Sequence, residues 1–383
     1  MLRATFMHIG LVRRGYSPTG GAESYLRRLG AALMAGGHRA TLFASPQWPR
    51  AEWPVDADLI PVPGRGPRAF ADGLAALEPR RRCDLLFSLE RVGTCDCYRA
   101  GDGLHRAWLE RRARFEPAWR SRLRRWNPKH RQILALEDAL FGNGGAGFII
   151  ANSSLVRDEI AAHFPAFPPA RVAVVYNGLP ATLLAPADPA ARETTRRTLG
   201  LEPDDCVLLF AGTGWERKGL ACTLGALARL PDATRPRLLV AGRGDPRPYG
   251  RRWKNLAGCV RFLGPVRDMP ALYAAADLFV LPTIYDPFSN ACLEALAAGL
   301  PVLTTTANGF AEILTPGMNG DTVAPGDADV LADLITRWAD PARRLAARAA
   351  AVEAARPFTI ERNVAETLNI FARLASNQPA SAD

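Results

Sequence analysis

Short apolar runs alternate with longer amphipathic segments through the first half of the chain. The helical spacing of apolar residues over about 22–35 predicts a helix between the glycine pairs Gly20-Gly21 and Gly36-Gly37. The short apolar runs predict strands at residues 5–12, 39–44, 84–88, 147–151 and 172–176. The chain is therefore expected to open with a βαβ unit that has a glycine turn after its first strand.

The second half repeats this alternation more regularly. Strands are predicted at residues 207–211, 237–241, 260–263, 278–281 and 301–304. Helices are predicted at about 219–230, 269–276, 290–298, 327–338, 342–355 and 360–375. Short apolar strands separated by helices are typical of a parallel sheet that is covered on both faces.

The pattern predicts an α/β fold of two Rossmann-like parallel-sheet domains that face each other across a cleft. An Asn177-Gly178 turn and a stretch rich in alanine and proline up to about residue 196 mark the boundary. We therefore expect a first domain over 1–178 and a second over 179–358. The last helix, within 359–383, is expected to pack back on the first domain.

Composition limits the class of protein. The chain has 383 residues, of which 48% are apolar, so two domains with their own cores are feasible. It contains no apolar run long enough to span a bilayer, and its N-terminus has the pattern of a first strand instead of a signal peptide. Cys95 and Cys97 have no matching second pair, which disfavours zinc and favours reduced thiols in a cytoplasmic protein.

The charge is concentrated in one segment. Residues 106–131 carry ten Arg or Lys and two acids, a local balance of +8 in a chain whose net charge is +10. Its aromatic residues fall on one stripe of a helix if the segment is continuous, although Pro117 is expected to kink it: Trp108, Phe115, Trp119 and Trp126. Such a helix suits an anionic membrane surface.

The basic residues predicted to contact that membrane surface include Arg122, Arg124 and Arg125. An ordinary helix that packs its aromatic face on the core is the alternative interpretation of this segment. Nucleic acid is not an expected partner, because the familiar nucleic-acid-binding motifs are missing from the chain.

The segment 285–305 carries the clearest candidate chemistry. Asp286 is followed eight positions later by Glu294, and a helix is predicted to open between them. The N-terminus of a helix binds phosphate readily, and flanking acids can bind hydroxyl groups. A simple loop turn for Asp286 and an exposed helix position for Glu294 are the alternatives.

Two further motifs have the residues that a phosphate ligand needs. Arg217 and Lys218 follow a predicted strand where a helix begins, and a diphosphate there would favour a planar Arg and a mobile Lys charge. A solvated pair at a helix start is equally compatible with the sequence. In the Gly20-Gly21 turn, the absence of side chains allows the backbone to approach a ligand.

These motifs together resemble those of retaining glycosyltransferase family 4, which has the GT-B fold. The resemblance rests on Gly20-Gly21-Ala22-Glu23, Arg217-Lys218-Gly219, Phe262-Leu263-Gly264 and residues 286–294, in order over nearly the whole chain. Within the family the chain is most similar to the lipopolysaccharide core glucosyltransferases, through residues 213–219, residues 281–294 and the pair Asp96 and Asp102.

The resemblance implies roles for the donor phosphates. The Gly20-Gly21 turn is expected to face the donor diphosphate, and Arg217 and Lys218 are expected to neutralise it. Backbone N–H groups are expected to contact phosphate and sugar hydroxyls at Phe288, Ser289, Asn290 and Ala291.

It also implies roles for the nucleoside and the sugar. Backbone around Phe262 and Leu263 should hold the edge of the base, and Glu294 should bind the ribose diol. Asp286 should lie near the transferred sugar. The family has Glu at that position, so the shorter Asp286 predicts a changed sugar or a changed sugar position.

Asp102 lies between two glycines, and the matching Asp of the similar enzymes lies near the reaction centre. A cap for the following helix is the alternative role of Asp102. His105 is expected either to hydrogen-bond a substrate or to be an ordinary surface histidine.

The resemblance implies transfer of a hexose, with UDP-glucose as the family-level donor, to a lipid-linked saccharide such as the lipopolysaccharide core. No metal or other cofactor is expected, because cations would hold the diphosphate. The expected location is cytoplasmic, peripherally bound to the inner face of the cytoplasmic membrane. A nucleotide-sugar epimerase of similar fold and a non-catalytic membrane or nucleic-acid binding protein are the alternatives.

Overall fold

The chain forms two compact units in a computed structural model. The first unit comprises Met1–Gly178 and Ile360–Asp383, and the second comprises Leu179–Thr359. The structure describes residues 6–16, 21–54, 57–124, 126–184, 189–250, 254, 256 and 258–376.

The first unit is built on a seven-stranded parallel sheet with strand order β3-β2-β1-β4-β5-β6-β7. Its strands are β1 His8–Arg13, β2 Arg39–Ala44, β3 Asp58–Pro61, β4 Leu85–Ser88, β5 Cys95–Ala100, β6 Ala146–Ala151 and β7 Val172–Val174. Its helices are α1 Gly21–Ala35, α2 Pro67–Ala76, α3 His105–Ala113, α4 Ala118–Arg124, α5 Pro128–Glu137 and α6 Ser154–His163, joined by α13 Ile360–Ser376.

The apolar pattern missed two of these strands. β3 is a short strand at the sheet edge whose side chains are exposed or half-buried, so it lacks an apolar run. β5 has the sequence Cys-Asp-Cys-Tyr-Arg-Ala, in which charged residues interrupt the run. Its Arg99 is nevertheless buried, with its guanidinium carbon 4.6 Å from the centroid of the Tyr25 ring. The cation–π contact and the hydrogen bonds to the Val175 carbonyl and Asn177 Oδ1 offset the free-energy cost of burying that charge.

The C-terminal helix α13 forms part of the core of the first unit. Its Val364, Ile370 and Phe371 belong to the same apolar cluster as the strands and helix α1. The Phe371 ring meets Phe87 edge-on at 5.0 Å between ring centroids. Buried Thr367 lies 3.2 Å from the Tyr25 hydroxyl, measured between their oxygens. The amphipathic pattern over 360–375 is therefore satisfied by the β-sheet and helix α1 of this unit.

The second unit contains a six-stranded parallel sheet with strand order β10-β9-β8-β11-β12-β13. Its strands are β8 Val207–Ala211, β9 Arg237–Ala241, β10 Val260–Gly264, β11 Leu278–Val280, β12 Val302–Thr305 and β13 Gly320–Val323. Its helices are α7 Pro189–Thr198, α8 Leu220–Leu227, α9 Met269–Ala275, α10 Asn290–Ala297, α11 Ala328–Trp338 and α12 Pro341–Ala355. The strand order reverses between β8 and β11, and ligands of open parallel sheets bind beyond the carboxyl ends of strands at such a reversal.

The single aromatic stripe predicted for 106–131 is wrong. The segment breaks into α3, α4 and the first turn of α5 because two prolines interrupt it. Proline has no N–H to continue a helix, and it starts a new one readily. The Pro117 carbonyl accepts the N–H groups of Arg120 and Ser121, and the Asn127 side chain accepts the N–H of Lys129 as α5 begins.

None of the helices in the part of the chain that the structure describes combines the length and the apolar character needed to cross a bilayer.

Candidate functional site

Two cations and a buried acid meet at the strand-order reversal of the second unit. Lys218 follows β8, Asp286 follows β11, and the Lys218 Nζ hydrogen-bonds to Asp286 Oδ2. The Arg217 Nη1 lies 3.9 Å from the same carboxylate oxygen and donates to the Tyr285 carbonyl at 2.9 Å. Only 5% of Asp286 is exposed. Asp286 is therefore a buried, paired acid instead of a simple loop turn.

The loop that carries these cations is held against the loop after β11. The carbonyl of Arg217 accepts hydrogen bonds from Ile284 N and Thr283 Oγ1, each at 2.8 Å. Gly219 has φ of +80°, and a Cβ at that position would lie 1.8 Å from the Pro282 carbonyl oxygen. Glycine is required there because any side chain would separate the two loops. The contact fixes Lys218 as a largely buried cation.

Helix α10 begins beside this pair. Ser289 is its N-cap and accepts the N–H of Cys292 at 3.4 Å. Buried Asn308 supports the cap: its Oδ1 accepts Ser289 N at 3.3 Å and Phe310 N at 3.1 Å, and its Nδ2 donates to Thr304 Oγ1 at 2.9 Å. The sequence reasoning missed Asn308. An Asn-Gly pair shortly after strand β12 was the available signal.

The electrostatics of this corner favour an anion. Burial raises the pKa of the Cys292 thiol to about 12, the charge of Lys218 lowers it and the charge of Asp286 raises it. Both charges therefore act on a residue in the first turn of α10. A helix N-terminus and two cations produce a positive region, and the Asp286 carboxylate neutralises part of it. The four predicted contact residues Phe288, Ser289, Asn290 and Ala291 lie at this helix start.

Glu294 lies in the second turn of α10 and is half-buried instead of exposed. Its Oε2 accepts a hydrogen bond from the Tyr273 hydroxyl at 2.8 Å. Burial raises the pKa of Glu294, and the hydrogen bond from Tyr273 lowers it. Tyr273, on α9, is a second residue that the sequence reasoning missed.

An aromatic cluster lies near strand β10. The Trp215 ring is 5.1 Å from the Phe262 ring, measured between centroids, and its Nε1 donates to the Gly212 carbonyl at 3.1 Å. A Cβ on Gly244 would lie 2.2 Å from the Trp215 indole, so this glycine permits the indole to pack on the backbone. Phe262 and Leu263 are both in β10 and are half-buried.

In the first unit, Asp102 lies on an exposed turn that buried polar groups hold from both sides. The Gly101 carbonyl accepts from Asn152 Nδ2 at 3.0 Å, and the Gly103 carbonyl accepts from Arg91 Nη2 at 2.6 Å. Asn152 is 1% exposed. The turn is thus a defined surface feature, and it presents the Asp102 carboxylate to solvent.

The helix-capping alternative for Asp102 is wrong, because Glu137 performs that role. The fully buried Glu137 carboxylate accepts the N–H groups of His105 and Arg106 at the start of α3. It also accepts from Arg91 Nε at 3.1 Å. Glu137 therefore orders both the helix start and the guanidinium that holds the Asp102 turn.

His105 is half-buried instead of an ordinary surface residue. Its Nε2 lies 2.9 Å from His130 Nδ1. Burial, with the nearby charges of Arg91, His130 and Lys129, lowers the pKa of His105 to about 4. The imidazole is consequently neutral at neutral pH, and in the shared hydrogen bond one of the two rings accepts.

Two predicted residues, Gly20 and Arg125, lie outside the described residues. Gly21 is the first residue of α1. The structure thus brings together Arg217, Lys218 and Asp286 with the start of α10, and it gives Glu294 a tyrosine partner. Across the described part of the chain, no group of three or more His, Cys, Asp or Glu side chains is placed to hold a metal ion.

Models of two protein families match the chain in succession. The model described as Glycosyltransferase Family 4 matches residues 19–183, and the model described as Glycosyl transferases group 1 matches residues 205–340.

Individual proteins show the same similarity. A probable transglycosylase of Burkholderia thailandensis is 30% identical over 384 residues, covering 97% of this chain and 99% of that protein. The lipopolysaccharide glucosyltransferase WaaG of Escherichia coli is 26% identical over 354 residues, covering 86% and 92% respectively. An uncharacterized glycosyltransferase of Methanocaldococcus jannaschii is 32% identical, but the match spans only 48% of either chain.

Solved structures match nearly the whole chain. The crystal structure of WaaG superposes with a TM-score of 0.76 at 23% identity and covers 97% of this chain and 100% of that one. HepE of Anabaena, in complex with UDP and glucose, superposes with a TM-score of 0.74 at 19% identity and covers 96% and 99%. At these identities the likeness establishes a shared fold.

Proposed function

The chain belongs to the glycosyltransferases of group 1 and family 4 and has the GT-B fold, and from this premise we propose a specific reaction for it. The proposed reaction moves a hexose from a nucleotide diphosphate sugar to a lipid-linked saccharide and keeps the anomeric configuration. Glucose and UDP are the proposed sugar and nucleotide. The family assignment favours this reaction over epimerisation and over a purely binding role.

The observation that carries the donor proposal is the cluster of Lys218, Arg217 and Asp286 at the start of α10. A diphosphate has the charge and the oxygens to replace Asp286 as the partner of both cations. HepE, which shares the fold, was crystallised with UDP and with UDP-glucose. These facts support a nucleotide diphosphate as the ligand of this corner.

The same groups would lower the barrier to transfer. As the bond between the sugar C1 and the diphosphate oxygen breaks, negative charge develops on the diphosphate, and Arg217, Lys218 and the helix start stabilise it. The acceptor oxygen bonds to C1 on the same face. Its proton passes to a diphosphate oxygen, so the reaction balances without a further reactant. In this scheme the cations provide the stabilisation and no metal ion is required.

We propose the lipopolysaccharide core as the acceptor, because the similarity to WaaG extends over most of both chains. The Asp102 turn is the proposed acceptor contact in the first unit, since the fold holds it in place and leaves its carboxylate accessible.

A donor screen followed by product analysis tests the function. We expect calorimetry to show binding of UDP-glucose in preference to GDP and ADP sugars, and transfer of glucose to truncated lipopolysaccharide in the presence of EDTA. NMR of the product should show the anomeric configuration of the donor. A rearranged donor formed without acceptor would instead indicate an epimerase, and a lack of binding by any nucleotide diphosphate would indicate a non-catalytic protein.

We further propose that the protein binds peripherally to the inner face of the cytoplasmic membrane through residues 115–126. Four of the eight exposed large apolar side chains in the described residues lie there, with exposures of 44%, 58%, 62% and 77%: Phe115, Trp119, Leu123 and Trp126. Exposed Arg122 lies among them. This combination suits an anionic lipid surface.

Only part of the predicted membrane-contacting set is exposed. Trp108 is half-buried, with the Arg112 guanidinium 5.4 Å from its ring centroid. Arg124 forms an ion pair with Glu116 at 2.8 Å. The proposed lipid contact therefore centres on Trp119, Arg122 and Trp126.

Replacing Trp119 and Trp126 by Ala together with Arg122→Gln should reduce sedimentation with liposomes that contain anionic lipid. The expected loss in partitioning is on the order of 100-fold, since the variant loses one cation worth about 1 kcal/mol and two inserted aromatic rings. Leu345→Ala, which removes a side chain that is 72% exposed in the second unit, is the control and should partition as the wild type does. Equal partitioning of the triple variant would refute the membrane proposal.

A further inference from the structure

Tyr273 is a hydrogen-bonding partner of Glu294. The tyrosine ring is buried on α9, 6.1 Å from the Phe279 ring between centroids, and its hydroxyl donates to Glu294 Oε2 at 2.8 Å. No ion pair to Glu294 is found among the residues that the structure describes. The tyrosine hydroxyl is thus the group that orients this carboxylate.

The direction of this hydrogen bond is fixed by chemistry. Burial and the nearby Glu294 charge raise the pKa of Tyr273 well above its ordinary value, so the hydroxyl keeps its proton and remains a donor. An ionised carboxylate has about four lone-pair sites, and the tyrosine occupies one of them. Both carboxylate oxygens therefore retain sites for two hydroxyl groups of a ligand.

We infer that Tyr273 is a positioning residue for the nucleotide ribose, acting by orienting the Glu294 carboxylate toward the 2′- and 3′-hydroxyls. The inference rests on the proposed function and on the role that the family resemblance implies for Glu294, which is to bind that diol. Tyr273 itself does not touch the donor. It limits the carboxylate to one orientation before the donor arrives, which reduces the ordering cost of binding.

The Tyr273→Phe variant tests the inference, because it keeps the buried ring and removes only the hydroxyl. We expect the KM for the donor to rise on the order of tenfold while kcat changes little, since the ribose contact is the same in the ground and transition states. The preference for UDP over 2′-deoxy-UDP, measured by calorimetry, should fall by a similar factor.

The pH dependence provides a readout that a purely structural role would not change. Glu294 must be ionised to accept the diol protons, so donor affinity is lost as pH falls through its raised pKa. Removing the Tyr273 hydroxyl removes a contact that lowers this pKa. The acid limb of the donor-affinity profile should therefore move to higher pH in Tyr273→Phe than in the wild type.

Glu294→Gln and the double variant separate the two proposals. If Glu294→Gln keeps the wild-type preference for UDP over 2′-deoxy-UDP, the ribose role of Glu294 in the proposed function is wrong. If Glu294→Gln loses that preference while Tyr273→Phe retains both it and the wild-type pH profile, only the Tyr273 inference is overturned. If the ribose role of Glu294 and the positioning role of Tyr273 are both right, the double variant should show the same preference for UDP over 2′-deoxy-UDP as Glu294→Gln. The affinity ratio is measured on folded protein, so a loss of stability in Tyr273→Phe does not affect the result.

Discussion

Lys218→Ala is expected to lower kcat/KM for the donor by about 100- to 1000-fold, the typical effect of removing one preorganised group that stabilises developing charge. Lys218 is largely buried beside α10, so in the variant water cannot readily enter to stabilise the charge that Lys218 would have stabilised. The Arg217 Nη1 lies 3.9 Å from the Asp286 carboxylate with which Lys218 pairs, and Arg217 should therefore preserve the residual activity. Steady-state kinetics at low donor concentration provide the measurement.

The variant also leaves Asp286 buried with a weaker counter-charge. Breaking a buried ion pair costs about 3–5 kcal/mol, and the nearby Arg217 should keep the loss toward the lower end. Lys254→Ala, which removes an exposed lysine of the same unit, is the matched control and should change neither stability nor transfer. Unchanged transfer by Lys218→Ala at low donor concentration would mean that Lys218 does not hold the diphosphate.

Asp286→Asn should have opposite effects on nucleotide affinity and on transfer. Asp286 is paired with Lys218 in the free protein, so a diphosphate has to compete with the carboxylate for this cation. The amide keeps the shape and removes the charge, and we expect UDP to bind about tenfold more tightly. Transfer should fall on the order of 100-fold, because the carboxylate no longer positions Lys218 or the sugar. Calorimetry with UDP and a transfer assay measure the two effects.

Thermal unfolding of Asp286→Asn should show a free protein that is less stable than the wild type and a larger stabilisation by UDP. Asp286→Glu is the control, since it keeps the charge and restores the residue typical of the family. It should bind UDP as the wild type does and differ mainly in its relative rates with different hexose donors. Lys218→Ala should bind UDP more weakly than the wild type. If Asp286→Asn also bound UDP more weakly, the carboxylate would not compete with the ligand.

Much of the fold could be predicted from local patterns. The strands Arg39–Ala44, Val207–Ala211 and Arg237–Ala241 begin and end where the apolar runs do. Their pattern is clear because both sheet faces are covered, which makes nearly every position apolar. The edge strands β3 and β13 lack such runs and were missed. β13 begins at Gly320, where a Cβ would lie 2.1 Å from the Val302 carbonyl oxygen. Close backbone approach, not apolar character, determines that position.

The break of the basic segment 106–131 was only partly predictable. Pro117 indicated a kink, but Pro128 and the Asn127 cap divided the segment further. Once the helix is broken, helical spacing no longer relates Trp108 to Trp126. The exposure of Trp119 and Trp126 and the burial of part of Trp108 then follow from separate packing environments.

The sequence by itself determined the alternating α/β architecture, the family resemblance and the residue types that a phosphate site needs. Those features depend on neighbouring residues, whose periodicity is written along the chain. Only the tertiary structure decided which of these residues contact one another. Lys218 meets Asp286 across 68 residues, Tyr273 meets Glu294 across 21, and Asn152 meets Gly101 across 51. Such contacts form because the parallel sheets bring the ends of distant strands, and the helices packed on them, next to one another, a proximity that no local pattern encodes.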